Sequence, residues 1–241
     1  MTLTRFTKYP RLYVEQSLDQ NASPKLETPQ IHYLKNVLRM KEGDQVRFFN
    51  GSDGEWLGEV LALGKKDADI KLTAQTKPQP EPKNKAHLIF APIKKQRMDF
   101  LVEKAVELGV TDFHPILTHH GEVRKVNTER ITAQITEAAE QCERLDIPTL
   151  HKLETLEKLL AAWGGKTKIT ACLEYFDAPH ISEITFEKDK AFIIGPAGGF
   201  EDAEKEMIVS YNFVQPADLG ETLLRAETAA LKCLSFIDRK P

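Results

Sequence analysis

A chain of 241 residues with 41% hydrophobic and 29% charged residues can bury one large core or two modest ones, and this composition excludes a disordered or low-complexity protein. A formal net charge of −3 excludes a surface coated in positive charge. The three cysteines, Cys142, Cys172 and Cys233, are too few and too widely spaced for a disulfide framework or a zinc knuckle, and they read as reduced core residues. There is no run of about 18 apolar residues, and MTLTRFTKYPRLYVE at the start lacks a secretory apolar stretch, so a soluble cytoplasmic protein that makes no membrane contact is expected. Charge is shared unevenly: residues 1–77 carry 12 Lys and Arg against 10 Asp and Glu, and 78–241 carry 21 against 26. The amino-terminal part is the better candidate for meeting phosphates.

In chain order, RLYVEQ (11–16), QVRFFN (45–50), EWLGEVLAL (55–63) and ADIKLTA (68–74) are short β-favouring runs separated by turn signals such as Asn50-Gly51 and Asp53-Gly54. They predict a small β-barrel. Between the first two, PQIHYLKNVLRM places Ile31, Leu34, Val37 and Leu38 at helical spacing behind Pro29, so one helix is expected to plug or flank the barrel. TKPQPEPKNK (76–85), with three prolines and no periodicity, reads as a stiff linker, which divides the chain into domains 1–75 and 86–241.

Beyond the linker, apolar strands alternate with amphipathic helices: HLIFAP then MDFLVEKAVELG, FHPIL then NTERITAQITEAAEQCERL, KITACLE, and KAFIIG then EDAEKEMIVSYN. This rhythm predicts an α/β domain with a largely parallel sheet. Met98, Leu101, Val102, Ala105 and Val106 form the buried stripe of the first helix, with Gly109 as its stop. A last helix is expected from about Thr222, with Leu223, Ala226, Ala230, Cys233, Leu234 and Ile237 on its inner side.

FIIGPAGGFEDAE (192–204) runs an apolar strand into Gly195, Gly198 and Gly199 and then into a helix whose first turn holds Glu201, Asp202 and Glu204. Bare backbone at that junction suits a ligand recognised by main-chain groups. The adjacent acids disfavour a phosphate, and neither the phosphate-loop nor the dinucleotide fingerprint is matched. Taken alone, such a segment is more often a plain tight turn. A second glycine turn, at Gly220 in DLGETLLRAETAALKCL (218–234), leads into a helix bearing Arg225 and Glu227 near its start. Two glycine turns at the carboxyl ends of strands in an open α/β sheet line one crevice.

GPAGGF together with LGETLLRAETAAL closely resembles the paired carboxy-terminal motifs of the RsmE family, which methylates N3 of a uridine in 16S ribosomal RNA. RLYVE, HYLKNVLRMKEGDQVRFFNG, KKQRMDFLVEKAVELGV and EAAEQCERLDIP look like family segments in the same order, so the resemblance runs the length of the chain. It implies a PUA-like amino-terminal barrel for RNA binding and a SPOUT-type methyltransferase domain with a carboxy-terminal trefoil knot. It also implies S-adenosylmethionine as cofactor, with S-adenosylhomocysteine as product, and a homodimer in which the partner completes each active site. The partner molecule implied is 16S ribosomal RNA or the small ribosomal subunit. Three segments depart from the family pattern: Ala197 replaces a usual Glu, Glu221-Thr222 a usual Pro or basic residue, and HHGEVRKVN (119–127) a Glu-Arg-Ser pattern.

The cofactor-binding residues that the resemblance implies are Leu173, Ile194, Gly195, Pro196, Gly198, Gly199, Phe200, Leu219, Gly220, Leu223, Leu224, Arg225, Thr228 and Ala229. Arg225 is the catalytic candidate, because a permanently charged guanidinium can hold the uracil oxygens and stabilise a developing anion. Water or a carboxylate would take the N3 proton; Glu227 could be that base, though a Glu in a first helical turn more often meets the helix dipole or a neighbouring Arg. Arg11, Arg39, Lys41, Lys94, Lys95 and Arg97 are candidate RNA contacts, with solvated surface charge as the plainer alternative. His114, His119 and His120 read as ordinary surface histidines and no metal is expected. Trp56 and Trp163 read as core or subunit-contact aromatics. The alternative functions are a ribosome-assembly factor that binds RNA without transferring methyl groups, and a SPOUT methyltransferase acting on a different RNA nucleotide.

Overall fold

The computed structural model describes residues 8–20, 22–81 and 84–237. The chain divides into two compact units, Met1–Lys83 with Ala139–Ile147, and Asn84–Ala138 with Pro148–Pro241. Placement of 139–147 with the first unit was not visible in the sequence, where a single boundary at the linker was expected.

In the first unit, β1 (Arg11–Tyr13), β2 (Gln45–Phe49), β3 (Glu55–Leu63) and β4 (Ala68–Lys77) form a four-stranded sheet in that order. β1 runs parallel to β2, and the other pairs are antiparallel. β4 extends to Lys77, into the stretch expected to be linker. α1 (Thr28–His32) opens with a capping box between Glu27 and Gln30 and has proline in its first turn. It continues as a π-helical turn over Tyr33–Val37, which buries Leu34. The wider turn rotates later residues off the inner face, so Val37 and Leu38 are exposed rather than packed as the 3.6-residue spacing predicted. Leu12, Val46, Phe48, Val60, Ile70 and Leu72 fill this core together with Leu34.

A buried charge cluster sits in the same unit. The Glu55 carboxylate, fully buried, accepts from Arg11 Nε at 2.7 Å, lies 3.5 Å from Arg47 Nη1, and accepts from the Thr76 hydroxyl at 2.8 Å. Arg11 also donates to the carbonyls of Ala139 and Arg144 and lies over the Phe49 ring at 3.5 Å. Arg11 is therefore a structural arginine, 6% exposed, and not an RNA contact.

The second unit is built on β5 (Ala86–Phe90), α2 (Lys95–Glu107), β6 (Asp112–Leu117), α3 (Thr128–Gln141), β7 (Thr149–Leu150), β8 (Glu154–Thr155), α4 (Leu156–Ala162), β9 (Ile169–Cys172), β10 (Lys190–Ile194), α5 (Asp202–Ser210), β11 (Val214–Ala217) and α6 (Ala226–Leu234). The last three residues of α3 fall in the segment grouped with the first unit. The strands form one parallel sheet in the order β11-β9-β10-β5-β6-β7, with β8 beside β6. The predicted α/β class and parallel sheet are what is observed, and all five stripe residues of α2 are buried. Ile89, Ala171, Ile193, Phe200 and Ile208 meet Leu156, Leu159 and Leu160 of α4 in its core.

The final helix starts at Ala226, not Thr222. Arg225 is extended at the helix entry, and Leu223, expected to face inward, is 63% exposed on the preceding loop. Among the described residues no helix is long and apolar enough to cross a membrane.

Replacing Glu55 with Ala leaves two buried guanidiniums without their shared carboxylate. Urea denaturation is expected to show a loss of about 3–5 kcal/mol.

Candidate active site

The registers of β9, β10 and β11 fix the site. Ile194 and Ala217, the last residues of β10 and β11, both pair with Cys172, the last residue of β9. Three adjacent parallel strands therefore end level with one another, and the chain leaves each through a turn: 173–176, 195–200 and 218–224. Those turns enclose a cavity of about 310 Å³.

Backbone conformation dictates the residues at the two glycine turns. Gly199, at φ 71°, donates its N–H to the Pro196 carbonyl at 2.9 Å, and Gly220, at φ 99°, donates to the Asp218 carboxylate at 2.9 Å. Residues with side chains rarely adopt these left-handed conformations. A Cβ on Gly199 would in addition stand 2.8 Å from Glu174 Oε2. The second turn is braced by Lys232, whose ammonium donates to the Leu219 carbonyl at 2.5 Å, and by a backbone bond from Asp218 to the Pro179 carbonyl at 2.9 Å.

The electrostatics of the cavity are one-sided. Glu174, Asp218 and Glu221 line it, and no lysine, arginine or histidine does so among the described residues. Burial pushes the Glu174 carboxyl above its usual range, with Lys205 pulling the other way. The amino terminus of α5 is spent on its own capping box, since Glu201 accepts from the backbone of Glu204, and Glu204 accepts from the Glu201 N–H at 3.0 Å and the His119 N–H at 2.8 Å. A phosphate would meet three carboxylates and an occupied helix end. A compact organic cation of nucleoside size meets favourable charge and an apolar wall of Leu173, Phe176, Ile194, Phe200 and Leu224.

Of the expected cofactor residues, Leu173, Ile194, Gly195, Pro196, Gly199, Phe200, Leu219, Gly220, Leu223, Leu224 and Ala229 line the cavity. Gly198, Arg225 and Thr228 do not: Gly198 faces His120, where a Cβ would come within 3.3 Å of the His120 Cβ, and Arg225 is exposed at the entry to α6 between the lining residues Leu224 and Ala226. Glu174, Tyr175 and Asp218 line the cavity without having been singled out; they sit one to three positions beyond strand ends, where only the register reveals them. Glu227 Oε1 lies 3.6 Å from Arg97 Nε, in keeping with a structural role for this carboxylate. Arg39, Lys41, Lys94, Lys95 and Arg97 are exposed, with Lys94 paired to Glu122 at 3.0 Å. Cys172 and Cys233, distant in sequence, bring their sulfurs to 3.1 Å. His114 is buried, not at the surface as expected. Trp163 packs on the core of the second unit and Trp56 on that of the first.

A family model described as RNA methyltransferase domain matches residues 79–238, and one described as RNA methyltransferase PUA domain matches residues 26–73. The chain belongs to the RNA methyltransferase family. Its relatives include the ribosomal RNA small subunit methyltransferase E of Rickettsia conorii, 34% identical over 95% of both chains, and that of Buchnera aphidicola, 27% identical over 97% of both. Among solved structures, a Legionella pneumophila protein in complex with the bound cofactor SAM superposes with TM-score 0.86 at 27% identity, covering 96% of this chain and 97% of that one. The ribosomal RNA small subunit methyltransferase E of Neisseria gonorrhoeae, bound to S-adenosyl methionine, superposes with TM-score 0.84 at 25% identity, covering 94% and 95%. The resemblance read from the two glycine motifs is thus the family to which the chain belongs.

Gly199→Ala places a side chain in the left-handed region and against Glu174. It is expected to lower stability in urea by about 1–2 kcal/mol for the backbone alone. Adding Glu174→Ala should restore only the part of any further loss that is due to the clash.

Proposed function

We propose that this protein transfers the methyl group of S-adenosylmethionine to N3 of a uridine in small-subunit ribosomal RNA. The observation that carries the reading is the cavity at the level ends of β9, β10 and β11, walled by main chain and carboxylates and free of lining cations among the described residues. Membership of the RNA methyltransferase family supports it, as do the names of the relatives and the cofactor held by the two solved structures. When bound, S-adenosylmethionine supplies a methyl group on a positively charged sulfur. The task of the chain is to hold that group in line with the attacking nitrogen, which is mainly a matter of positioning.

Glu174, Asp218 and Glu221 favour a cationic ligand, and the glycine turns at 195–200 and 218–224 present main-chain N–H and C=O groups to an adenine. Arg225, exposed beside the cavity, holds the uracil oxygens and stabilises the anion left when N3 loses its proton. Water or a nearby carboxylate takes that proton. The target base must be unpaired or flipped to expose N3. The same reading assigns a SPOUT-type trefoil knot around the cofactor, a PUA-like RNA-binding barrel in the first unit, a homodimer in which the partner completes the site, and action in the cytoplasm on 16S ribosomal RNA or the small subunit.

A methyl on N3 blocks the Watson–Crick edge, so primer extension along small-subunit RNA should stop at one uridine only when the gene is present. Arg225→Ala should abolish that stop and retain the calorimetric heat of S-adenosylmethionine binding. No heat from the parent protein would favour a non-catalytic assembly factor; heat without the stop would favour a different nucleotide.

Exposed Lys94, Lys95 and Arg97 are the proposed phosphate contacts of the second unit, and Arg39 and Lys41 those of the first. Changing the first three to Gln should flatten the dependence of log binding constant on log salt by about 0.7–0.9 for each phosphate left without its cation, measured by filter binding. An unchanged slope would remove them from the RNA surface.

A further inference from the structure

At the other end of the same sheet a cluster of metal-ligating side chains has no part in methyl transfer. His87 is the second residue of β5 and Asp112 the first of β6; the two are register partners, so their side chains lie on one face. His114, two residues beyond Asp112, shares that face. Nδ1 of His87 and Nε2 of His114 are 3.1 Å apart, Nδ1 of His87 is 3.9 Å from an Asp112 oxygen, and one ligand atom from each of the three residues can be chosen so that all lie within 4.8 Å. We propose that His87, Asp112 and His114 form a binding site for a divalent transition-metal ion, zinc being the best fit, separate from the cofactor cavity.

The distances suit such an ion. Zinc–nitrogen bonds of about 2.0–2.1 Å in a tetrahedron place neighbouring ligand atoms roughly 3.3 Å apart, so small side-chain rotations bring the three donors to bonding distance. Two nitrogens and one carboxylate oxygen are a ligand set that imidazole-preferring metals accept, with the fourth position left for water. The surroundings hold the donors in place, as supporting groups do at metal sites. His151 Nε2 donates to Asp112 Oδ1 at 2.9 Å, and its ring stacks on the His114 ring at 4.0 Å. The Thr111 hydroxyl donates to Asp112 Oδ2 at 2.7 Å, and Trp163 packs edge-on against both ligand rings.

Two imidazole nitrogens at 3.1 Å share one proton in the metal-free protein. An ion entering between them takes a lone pair from each nitrogen, and the ring that carried that proton keeps it on its other nitrogen, so two neutral imidazoles bind the ion with no net release of a proton. The ammonium of Lys85, 3.0 Å from Asp112 Oδ2 on a side chain more than half exposed, supplies positive charge in the metal-free state and can swing outward when an ion arrives.

The test uses the full chain, freed of metal by a chelator and titrated with Zn²⁺ against a chromophoric competitor, and separately with Co²⁺. One equivalent should bind, Co²⁺ should develop visible ligand-field bands, and the melting temperature should rise with added Zn²⁺. His114→Gln and His87→Gln should each weaken Zn²⁺ binding at least about tenfold, and His32→Gln, at an exposed position of the first unit, should not. If His114→Gln does not fold by circular dichroism, the less buried His87→Gln decides. Parent-like affinity in a folded His87→Gln protein, or loss of the bound equivalent in His32→Gln, overturns the site.

Discussion

Cys172, Ile194 and Ala217 end three adjacent parallel strands at one level, and everything proposed for the cofactor cavity depends on that register. Parallel strands joined by crossovers expose the carboxyl ends of neighbouring strands side by side, and the chain must turn away from the sheet at each of them. Where three turns crowd together, side chains would fill the space between them. Glycines at 195, 199 and 220 keep it open, and the positive φ values at 199 and 220 admit little else. A one-residue slip of β11 against β9 would carry Asp218 and Gly220 out of level with Gly195 and replace the cavity with a packed seam.

Charge then decides what the cavity accepts. Helix amino termini usually attract anions, and α5 begins just beyond the first glycine turn. Here the helix satisfies its own N–H groups through Glu201 and Glu204, and the cavity wall adds Glu174, Asp218 and Glu221. The arginines whose environments are well defined lie elsewhere. Arg11 is neutralised by the buried carboxylate of Glu55 and by backbone carbonyls, while Arg47 is shared between Glu55 and Glu143. Arg225 stands in solvent at the start of α6. This distribution fits a site that takes a cationic small molecule inside and meets an anionic polymer outside.

Much of this was legible in the sequence, and the exceptions have physical causes. The parallel α/β class, the buried stripe of α2 and the strand-to-glycine junction at 194–199 follow from local periodicity and from the special backbone freedom of glycine. The start of α6 was misplaced because Thr222, Leu223 and Leu224 have acceptable helix propensity, whereas the left-handed Gly220 and the extended Arg225 delay the helix to Ala226. Val37 and Leu38 were assigned inward on a 3.6-residue spacing that the π-turn interrupts. Arg11 looked like a surface arginine because Glu55, 44 residues away, becomes its partner only once β1 and β3 flank β2. Glu174 and Asp218 escaped notice for a related reason: a lone carboxylate after a strand carries no pattern until register shows what it faces.

Strand pairing likewise concealed the histidines. His87, Asp112, His114 and His151 have no spacing typical of a metal motif, and their proximity arises from pairing across β5, β6 and β7. Within this unit the two ends of the sheet are built differently. At the carboxyl ends, strands give way to glycine turns that leave room for a ligand. At the amino ends, the short Leu108–Thr111 connection returns the chain directly from α2 into β6, and the Thr111 N–H is tied to the Ala86 carbonyl at 2.8 Å. Side chains on such short, strand-anchored connections have little freedom to reorganise. Polar groups there must be matched where they stand, which is why Asp112 is met at once by Thr111, His151 and Lys85, its carboxyl held down at about 2 because those hydrogen bonds outweigh the upward push of burial.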